Sequence, residues 1–281
     1  MISVIILTFN SERFIERLLV SCERALRFCG NKNFEIFVFD NGSQDKTIEI
    51  INKYKKHLPI FIERFPYNKG TTFPRNRGIK KAKFDYILFL DSDIELEKNC
   101  VKILKETLDK DNKIAIAAPL LFYPSGEIQK SFKRFPNIIL KFLKFSPFSL
   151  FQKLGSRMEE YKFEIDESKI YFVDYCISAV WLVKKEIFKK VGFFDENIFY
   201  SPEDVDFCLR CWLNGYKVAF VPKAKALHYT QRLSYKKFPF FYYHFKGLFY
   251  LFKKHKYFFS REKIYKKIFL KNKNIKHDKQ F

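Results

Sequence analysis

The chain has 281 residues, 47% of them hydrophobic, which is enough for one large domain or two small ones around a sizeable core. No apolar run approaches the roughly 18 residues of a membrane-spanning helix, so the composition excludes an integral membrane protein. The formal charge of +22 is uneven, because the part from Lys223 onward holds 17 Lys and Arg residues against two acids.

The six Cys residues show no spacing typical of metal ligands, and the Cys208-x-x-Cys211 pair lies in a segment with helical periodicity. The sequence enters a strand at once, without the basic and apolar start of a secretory signal. We therefore expect a cytoplasmic protein with reduced thiols.

Residues 1–113 alternate strands with helices. Continuous apolar runs predict strands buried on both faces, and helical spacing predicts the helices between them. The predicted strands are 3–8, 34–39, 60–63 and 86–90, and the predicted helices end near residues 29, 55 and 82. This order predicts a parallel α/β sheet, which we expect to form a nucleotide-binding half without a glycine-rich phosphate loop.

The fourth strand ends in the most informative triplet of the chain, Asp91-Ser92-Asp93. Two carboxylates one residue apart, at the carboxyl edge of a sheet, can bind a hard divalent cation that also binds phosphates. The same triplet is ordinary turn chemistry when it occurs alone, so its context decides the interpretation.

The pattern changes after residue 113, and we assign residues 114–230 to an acceptor half of the same domain. Residues 128–169 lack a regular pattern, and a loop of this length is usually functional or mobile. The remaining predictions are strands at 114–119, 171–183 and 217–221, a short helix to residue 190, a helix from about 201 to 215, and His228 just beyond the last strand.

Taken in order, several motifs resemble the inverting glycosyltransferases of family 2, most closely the bacterial rhamnosyltransferase-like branch. The resemblance covers about residues 2–235 and implies the GT-A fold, an α/β fold with a Rossmann-like nucleotide-binding half and a mixed central sheet. The motifs are Thr8-Phe9-Asn10, Asp40-Asn41-Gly42-Ser43, Asn68-Lys69-Gly70, Asn76-Arg77-Gly78, Asp91-Ser92-Asp93, Gly192-Phe193-Phe194-Asp195-Glu196, Glu203-Asp204-Val205-Asp206 and His228.

The resemblance implies a nucleotide-diphosphate sugar donor and a divalent metal ion, Mg²⁺ or Mn²⁺, bound by Asp91, Asp93 and His228. A lone His is more often structural, so the assignment of His228 as a metal ligand depends on its position after the last strand. Asn10 and Asn68 fit turn chemistry almost equally well, and Arg75 fits surface solvation. The expected donor-binding residues are Thr8, Asn10, Asp40, Asn41, Asn68, Gly70, Arg75, Asn76, Asp91 and Ser92.

Inverting transfer needs one base that deprotonates the acceptor hydroxyl. The resemblance points to Asp204 as this base, with Glu203 as the second candidate. The same acids could instead complement a helix dipole behind an N-cap at Ser201. We expect Asp206 to be structural and Arg210 to pair with one of these carboxylates. The expected acceptor-binding residues are Ser178, Ala179 and Trp181, with Ser178 where the family often has Gly.

Residues 231–281 form a basic, aromatic C-terminal extension with an expected helix near 245–252. We expect this extension to lie on the anionic inner face of the cell membrane, although it could instead pack on the catalytic domain. The expected function is transfer of a sugar, with rhamnose as one candidate, to a glycan or polyprenyl-linked acceptor in cell-surface polysaccharide synthesis. The alternatives are a basic nucleic-acid-binding module, which we do not expect, and a catalytically inactive GT-A scaffold.

Overall fold

The computed structural model describes residues 1–30, 33–144, 146–230 and 238–271. The strands are β1 (Ile2–Thr8), β2 (Phe34–Asp40), β3 (Ile60–Arg64), β4 (Tyr86–Asp91), β5 (Ile94–Leu96), β6 (Ile114–Phe122), β7 (Ile128–Gln129), β8 (Phe132–Lys133), β9 (Tyr171–Phe172), β10 (Tyr175–Cys176), β11 (Val180–Lys184) and β12 (Lys217–His228). The helices are α1 (Ile15–Phe28), α2 (Thr47–Tyr54), α3 (Thr72–Lys81), α4 (Cys100–Lys110), α5 (Ile138–Lys144), α6 (Ser149–Glu159), α7 (Glu186–Val191), α8 (Glu203–Leu213), α9 (Phe238–His255) and α10 (Glu262–Lys271).

The first four strands form the parallel part of the sheet, in the order β3-β2-β1-β4. Their apolar residues are buried on both faces because helices cover both sides of a parallel sheet. The register places Thr8 opposite Asp40 and Leu7 opposite Asp91. The polar residues that follow these strands therefore lie along one edge of the sheet.

The second part of the sheet is mixed. Strand β11 lies antiparallel between β4 and β6, and β12 runs parallel to β6. The register between β12 and β6 shifts between Val221 and Lys225, and β12 then continues as far as His228. At its end β12 pairs with β5, where His228 is opposite Ile94. His228 is thus the last residue of a longer strand than the sequence pattern predicted, and it lies beside Asp93.

The segment 128–169 was expected to be irregular, but it contains β7, β8, α5 and α6. Strand β8 pairs with β10 in a separate two-stranded sheet. The strand predicted at 171–183 is divided into β9, β10 and β11, which pair with β12, β8 and β4 respectively. These pairings join residues far apart in the chain, so local periodicity could not predict them.

The C-terminal extension packs on the rest of the protein through α9 and α10. Its buried residues join the same apolar core as Trp181 and Phe207. They include Leu248, Leu251, Phe252, Tyr257, Ile264 and Ile268. Residues 231–237 and 272–281 of the extension lie outside the described part. Within the described residues, no helix combines the length and the apolar character that crossing a bilayer requires.

Candidate active site

Three potential metal ligands meet at the edge of the sheet. One ligand atom from each of Asp91, Asp93 and His228 lies within 4.8 Å of the others. Asp93 Oδ1 is 3.4 Å from His228 Nε2, and the backbone N–H of Tyr229 donates to Asp93 O at 2.9 Å. Carboxylate oxygens suit Mg²⁺ or Mn²⁺, and the imidazole nitrogen favours a transition metal, so the donor set fits Mn²⁺ better than Mg²⁺.

Gln129 on β7 orients the imidazole of His228. Its Oε1 lies 2.9 Å from His228 Nδ1, which leaves Nε2 directed toward Asp93. A polar partner on the second ring nitrogen is a common support for a metal-binding His, because it fixes the ring and its tautomer. Gln129 was not predicted as part of the site, because it lies in the segment expected to be irregular.

Arg75 on α3 connects the metal-site acids to the start of α8. Its guanidinium donates to Asp91 Oδ1 at 3.0 Å, to Glu203 Oε1 at 3.0 Å and to Ser178 Oγ at 2.7 Å. Only 3% of the Arg75 side chain is exposed, compared with 36% of Asp91. Arg75 is therefore a buried bridge within the site. The alternative interpretation, that Arg75 is a solvated surface residue, is therefore wrong.

Asp204 lies next to this bridge, in the first turn of α8. Burial and the neighbouring charge of Glu203 raise the pKa of Asp204 to about 7. A carboxylate with this pKa can accept a proton near neutral pH, as a general base must. The N-cap of α8 is Pro202, without a side-chain capping bond, so the alternative of an N-cap at Ser201 is not present.

Several of the residues expected to bind the donor already make hydrogen bonds within the protein. Asp40 is fully buried and accepts from the backbone N–H of Ser43, while Arg64 Nε lies 3.1 Å from its Oδ2. Asn10 Oδ1 accepts from Gln44 N at 2.8 Å, and Ser92 Oγ lies 2.6 Å from Ser11 Oγ. Thr8 differs, because its buried Oγ1 has no hydrogen-bond partner in the described chain.

Asn41, Asn68 and Gly70 shape the loop before α3. Asn41 donates to Gly70 O at 2.9 Å, and Asn68 Oδ1 accepts from Gly70 N at 2.8 Å. Gly70 has φ +78°, and an added Cβ would lie 2.1 Å from Phe199 O. Only glycine fits this close approach, which brings the loop against the segment before α8.

Asn76 also has a structural partner, because its amide bonds to Phe194 and Glu196. Ser178 and Ala179, which were expected to bind the acceptor, adjoin the site, and the backbone N–H of Asp91 donates to Ala179 O at 2.9 Å. Trp181 is completely buried against Phe194 and Phe207, so it supports Ser178 and Ala179 from the core.

A family model described as glycosyl transferase family 2 matches residues 3–192. The chain belongs to glycosyl transferase family 2. The family that the ordered motifs predicted is thereby confirmed.

Two curated relatives of this family 2 chain align over most of its length. The rhamnosyltransferase WbbL of Escherichia coli is 26% identical over 236 residues, which are 82% of this chain and 84% of WbbL. The cholesterol galactosyltransferase of Borreliella burgdorferi is 24% identical over 230 residues, which are 78% of this chain. The aligned part is only 57% of that relative, so the chain spans less than two thirds of its length.

Among solved structures, GalNAc-T7 with UDP, GalNAc and Mn²⁺ matches with a TM-score of 0.61 and 20% identity. The match covers 81% of this chain and 43% of that one. It supports the fold, and the predicted GT-A fold with a mixed central sheet is confirmed.

Helix α9 holds α8 in place. Asp206 on α8 accepts from Arg210 Nε at 2.8 Å, and it also contacts Lys254 Nζ at 2.7 Å and His255 Nε2 at 2.8 Å. The expected Arg210 pair is thus present, whereas the sequence did not indicate the partners from α9. Gly247 lets α9 approach, because an added Cβ would lie 2.5 Å from Ser201 O.

Proposed function

We propose that this protein transfers a sugar, with inversion at the anomeric carbon, from a nucleotide diphosphate to a hydroxyl of a glycan or lipid-linked glycan. The observation that carries the proposal is the meeting of Asp91, Asp93 and His228 at the sheet edge. It is supported further by Arg75, which joins this edge to the helix that bears Asp204. Family 2 membership favours the same reaction class.

The donor would lie along the carboxyl ends of β1, β2 and β4, near Thr8, Asn10, Asp40, Asn41, Asn68 and Ser92. Ligands in open α/β sheets bind at this edge. When bound by Asp91, Asp93 and His228, Mg²⁺ or Mn²⁺ would neutralise the charge of the leaving diphosphate. Arg75 would hold Asp91 in position, and Gly70 and Asn76 would keep the surrounding loops closed on the donor.

Asp204 would act as the base, and Glu203 would keep its pKa high while bound to Arg75. The acceptor would lie over Ser178 and Ala179, with its hydroxyl directed at Asp204. Water access there would compete with the acceptor, so a partly buried base is favourable.

Rhamnose is one candidate for the transferred sugar, because a relative aligned over 82% of this chain and 84% of its own length is named a rhamnosyltransferase. A lipid-linked acceptor is supported by the second relative, whose name includes a lipid, cholesterol. We infer that the protein works at the inner face of the cell membrane. Exposed apolar side chains on its surface would contact the bilayer.

Thermal denaturation with a panel of nucleotide sugars, each with Mn²⁺, Mg²⁺ or EDTA, tests donor binding. A donor at 100 times its Kd should stabilise the protein by about 2.7 kcal/mol, or about 5 °C. The shift should require the metal and should disappear in Asp93→Ala. Glu106→Ala, which removes an exposed acid of α4, is the matched control and should retain it. A panel in which no nucleotide sugar shifts the wild type would contradict the proposal.

A further inference from the structure

A buried charge cluster lies in the segment between β7 and β9. Glu159, at the end of α6, is only 1% exposed, and its two oxygens each lie 2.7 Å from a lysine ammonium, Lys141 on one side and Lys144 on the other. Although burial opposes ionisation, these lysines lower the pKa of Glu159 to about 2. The carboxylate is therefore charged at neutral pH.

Lys133 on β8 adds a third cation to this cluster. Burial and the charge of Lys144 lower the pKa of Lys133 to about 8, so it is still mostly protonated at pH 7. Within the described ranges, no hydrogen bond or ion pair reaches its ammonium group. The cluster thus holds three ammonium groups and one carboxylate. Surplus positive charge in this partly desolvated cluster is unfavourable until an anion binds.

The cluster lies beside the proposed base. Lys133 pairs with Tyr175 in the two-stranded sheet, and β10 leads directly to Ser178. Helix α8 packs on β10. The negative charge of Asp204 acts on both Lys133 and Lys141, against the effect of burial. The cluster therefore lies within electrostatic reach of Asp204, the proposed base.

We propose that Lys133, Lys141 and Lys144 bind a phosphoryl group of the acceptor beside the hydroxyl that Asp204 deprotonates. This inference rests on the proposed function and adds the acceptor class, a phosphorylated sugar or lipid. A phosphoryl group fits because it can carry two negative charges, which match the surplus of the cluster, and lysines bind it as point charges. A neutral glycan would leave Lys133 without a partner.

Binding of inorganic phosphate, measured by calorimetry with EDTA present, tests the site without the metal. Lys133→Met and Lys144→Met keep the apolar stems and should each weaken phosphate binding at least tenfold. Lys133→Arg keeps the charge and should retain most of the affinity. Lys110→Met, at an exposed position of α4, is the matched control. If Lys133→Met fails to fold, Lys144→Met decides, because Lys144 is 21% exposed.

Unchanged phosphate affinity in both Met variants overturns the proposal, as does undetectable phosphate binding by the wild type. The metal-dependent shift produced by nucleotide sugars should be the same in Lys133→Met and in the wild type. Loss of that shift from the wild type would instead count against the proposed function, so the two failures are distinguishable.

A separate observation concerns the outer face of α5 and α6. The two helices pack closely, because a Cβ at Gly155 would lie 2.9 Å from Lys144 N, and Leu140 is fully buried between them and the core. Their other face leaves large apolar side chains in water, with Phe142 71% exposed and Leu150 72% exposed. The further members of this face are Ile139, Phe148, Phe151, Leu154 and Met158.

Charge on this helical pair favours an anionic partner. Lys153 and Arg157 are exposed on α6, whereas the acid of the two helices, Glu159, is buried and paired. Aromatic and aliphatic residues flanked by cations are typical of segments that lie in the headgroup region of a bilayer. The apolar face also continues toward exposed Phe259, since Asn137 Nδ2 donates to Phe259 O at 3.1 Å.

We infer that the exposed face of α5 and α6 inserts into an anionic bilayer and is the main membrane contact of the protein. Sedimentation with vesicles containing phosphatidylglycerol tests this. The double variant Phe142→Ser and Leu150→Ser should bind at least tenfold more weakly than the wild type. The matched control, Phe249→Ser and Phe269→Ser in α9 and α10, removes two equally apolar residues that are each 59% exposed, and it should lose less than threefold.

Uncharged phosphatidylcholine vesicles should also bind weakly, because they remove the electrostatic attraction. Equal vesicle affinity of the α5–α6 variant and the wild type overturns the inference. So does a larger loss in the α9–α10 control, which would assign the contact to the C-terminal extension. A wild type that binds a protein partner through this face, but no vesicles, would overturn it as well.

Discussion

The proposed donor and acceptor sides of the site carry opposite charges. On the donor side, Asp91 and Asp93 lie at the end of β4, whereas on the acceptor side Lys133, Lys141 and Lys144 form the buried cluster. If both ligands are anionic, the donor side needs a cation for its diphosphate, and the acceptor side already supplies cations of its own. We therefore expect dependence on metal to be confined to donor binding.

Replacing the proposed base, Asp204, should lower the rate of transfer more than any other change. Asp204→Asn removes the proton acceptor and should lower the rate of transfer on the order of 100- to 10,000-fold. Donor binding should persist, because the metal ligands are untouched. Transfer measured with a radiolabelled donor, alongside the donor-induced thermal shift, checks both parts. Full activity of Asp204→Asn would assign the base elsewhere.

Stability of the acceptor side should depend on Asp206, which joins α8 to α9. Asp206→Asn leaves Arg210, Lys254 and His255 without their shared carboxylate and should cost about 3 kcal/mol of unfolding free energy. Asp109→Asn, which breaks an exposed pair with Lys105, should cost less than about 1 kcal/mol. Urea denaturation of both variants provides the comparison, and equal losses would show that α9 does not support α8.

On the donor side, Gln129→Leu should weaken metal binding without removing a ligand. Losing the partner of His228 Nδ1 should reduce Mn²⁺ affinity by about 10- to 100-fold. Electron paramagnetic resonance of free Mn²⁺ measures this affinity directly. Phosphate affinity in EDTA should not change. A parallel loss of phosphate affinity would mean that the two sides are not independent.

The smallest expected effect is the pH dependence of Asp204. With a pKa of about 7, the fraction of ionised base, and with it the rate, should rise about tenfold from pH 6 to pH 8. A raised carboxyl pKa stabilises the folded state below the unfolded pKa, and this contribution is lost as pH rises through about 7. The melting temperature of Asp204→Asn, measured relative to that of the wild type, should therefore rise between pH 6 and pH 8. A constant difference would contradict the raised pKa.

The parallel half could be predicted closely from the sequence because its signals are local. Each strand is a continuous apolar run, and the polar residues that follow the strands come together through the parallel register alone. Thus β1 to β4 agree with the expectations, whereas His228 meets Asp91 and Asp93 only because the end of β12 pairs with β5.

The acceptor half could not be predicted as well because its structure depends on distant contacts. Lys133 belongs to a two-residue strand that exists only by pairing with β10, and Glu159 is buried only because two lysines of α5 neutralise it. The partners of two His residues on α9 were not predicted either: His255 binds Asp206, and His244 Nδ1 lies 3.0 Å from Ser201 Oγ. The individual donor-binding roles remain predictions.

A crystal structure with Mn²⁺ and a stabilising nucleotide sugar would test the central claim most directly. We expect an anomalous manganese peak among Asp91, Asp93 and His228, with the anomeric carbon of the donor facing Asp204. A peak at another place, or a donor whose sugar points away from α8, would contradict it.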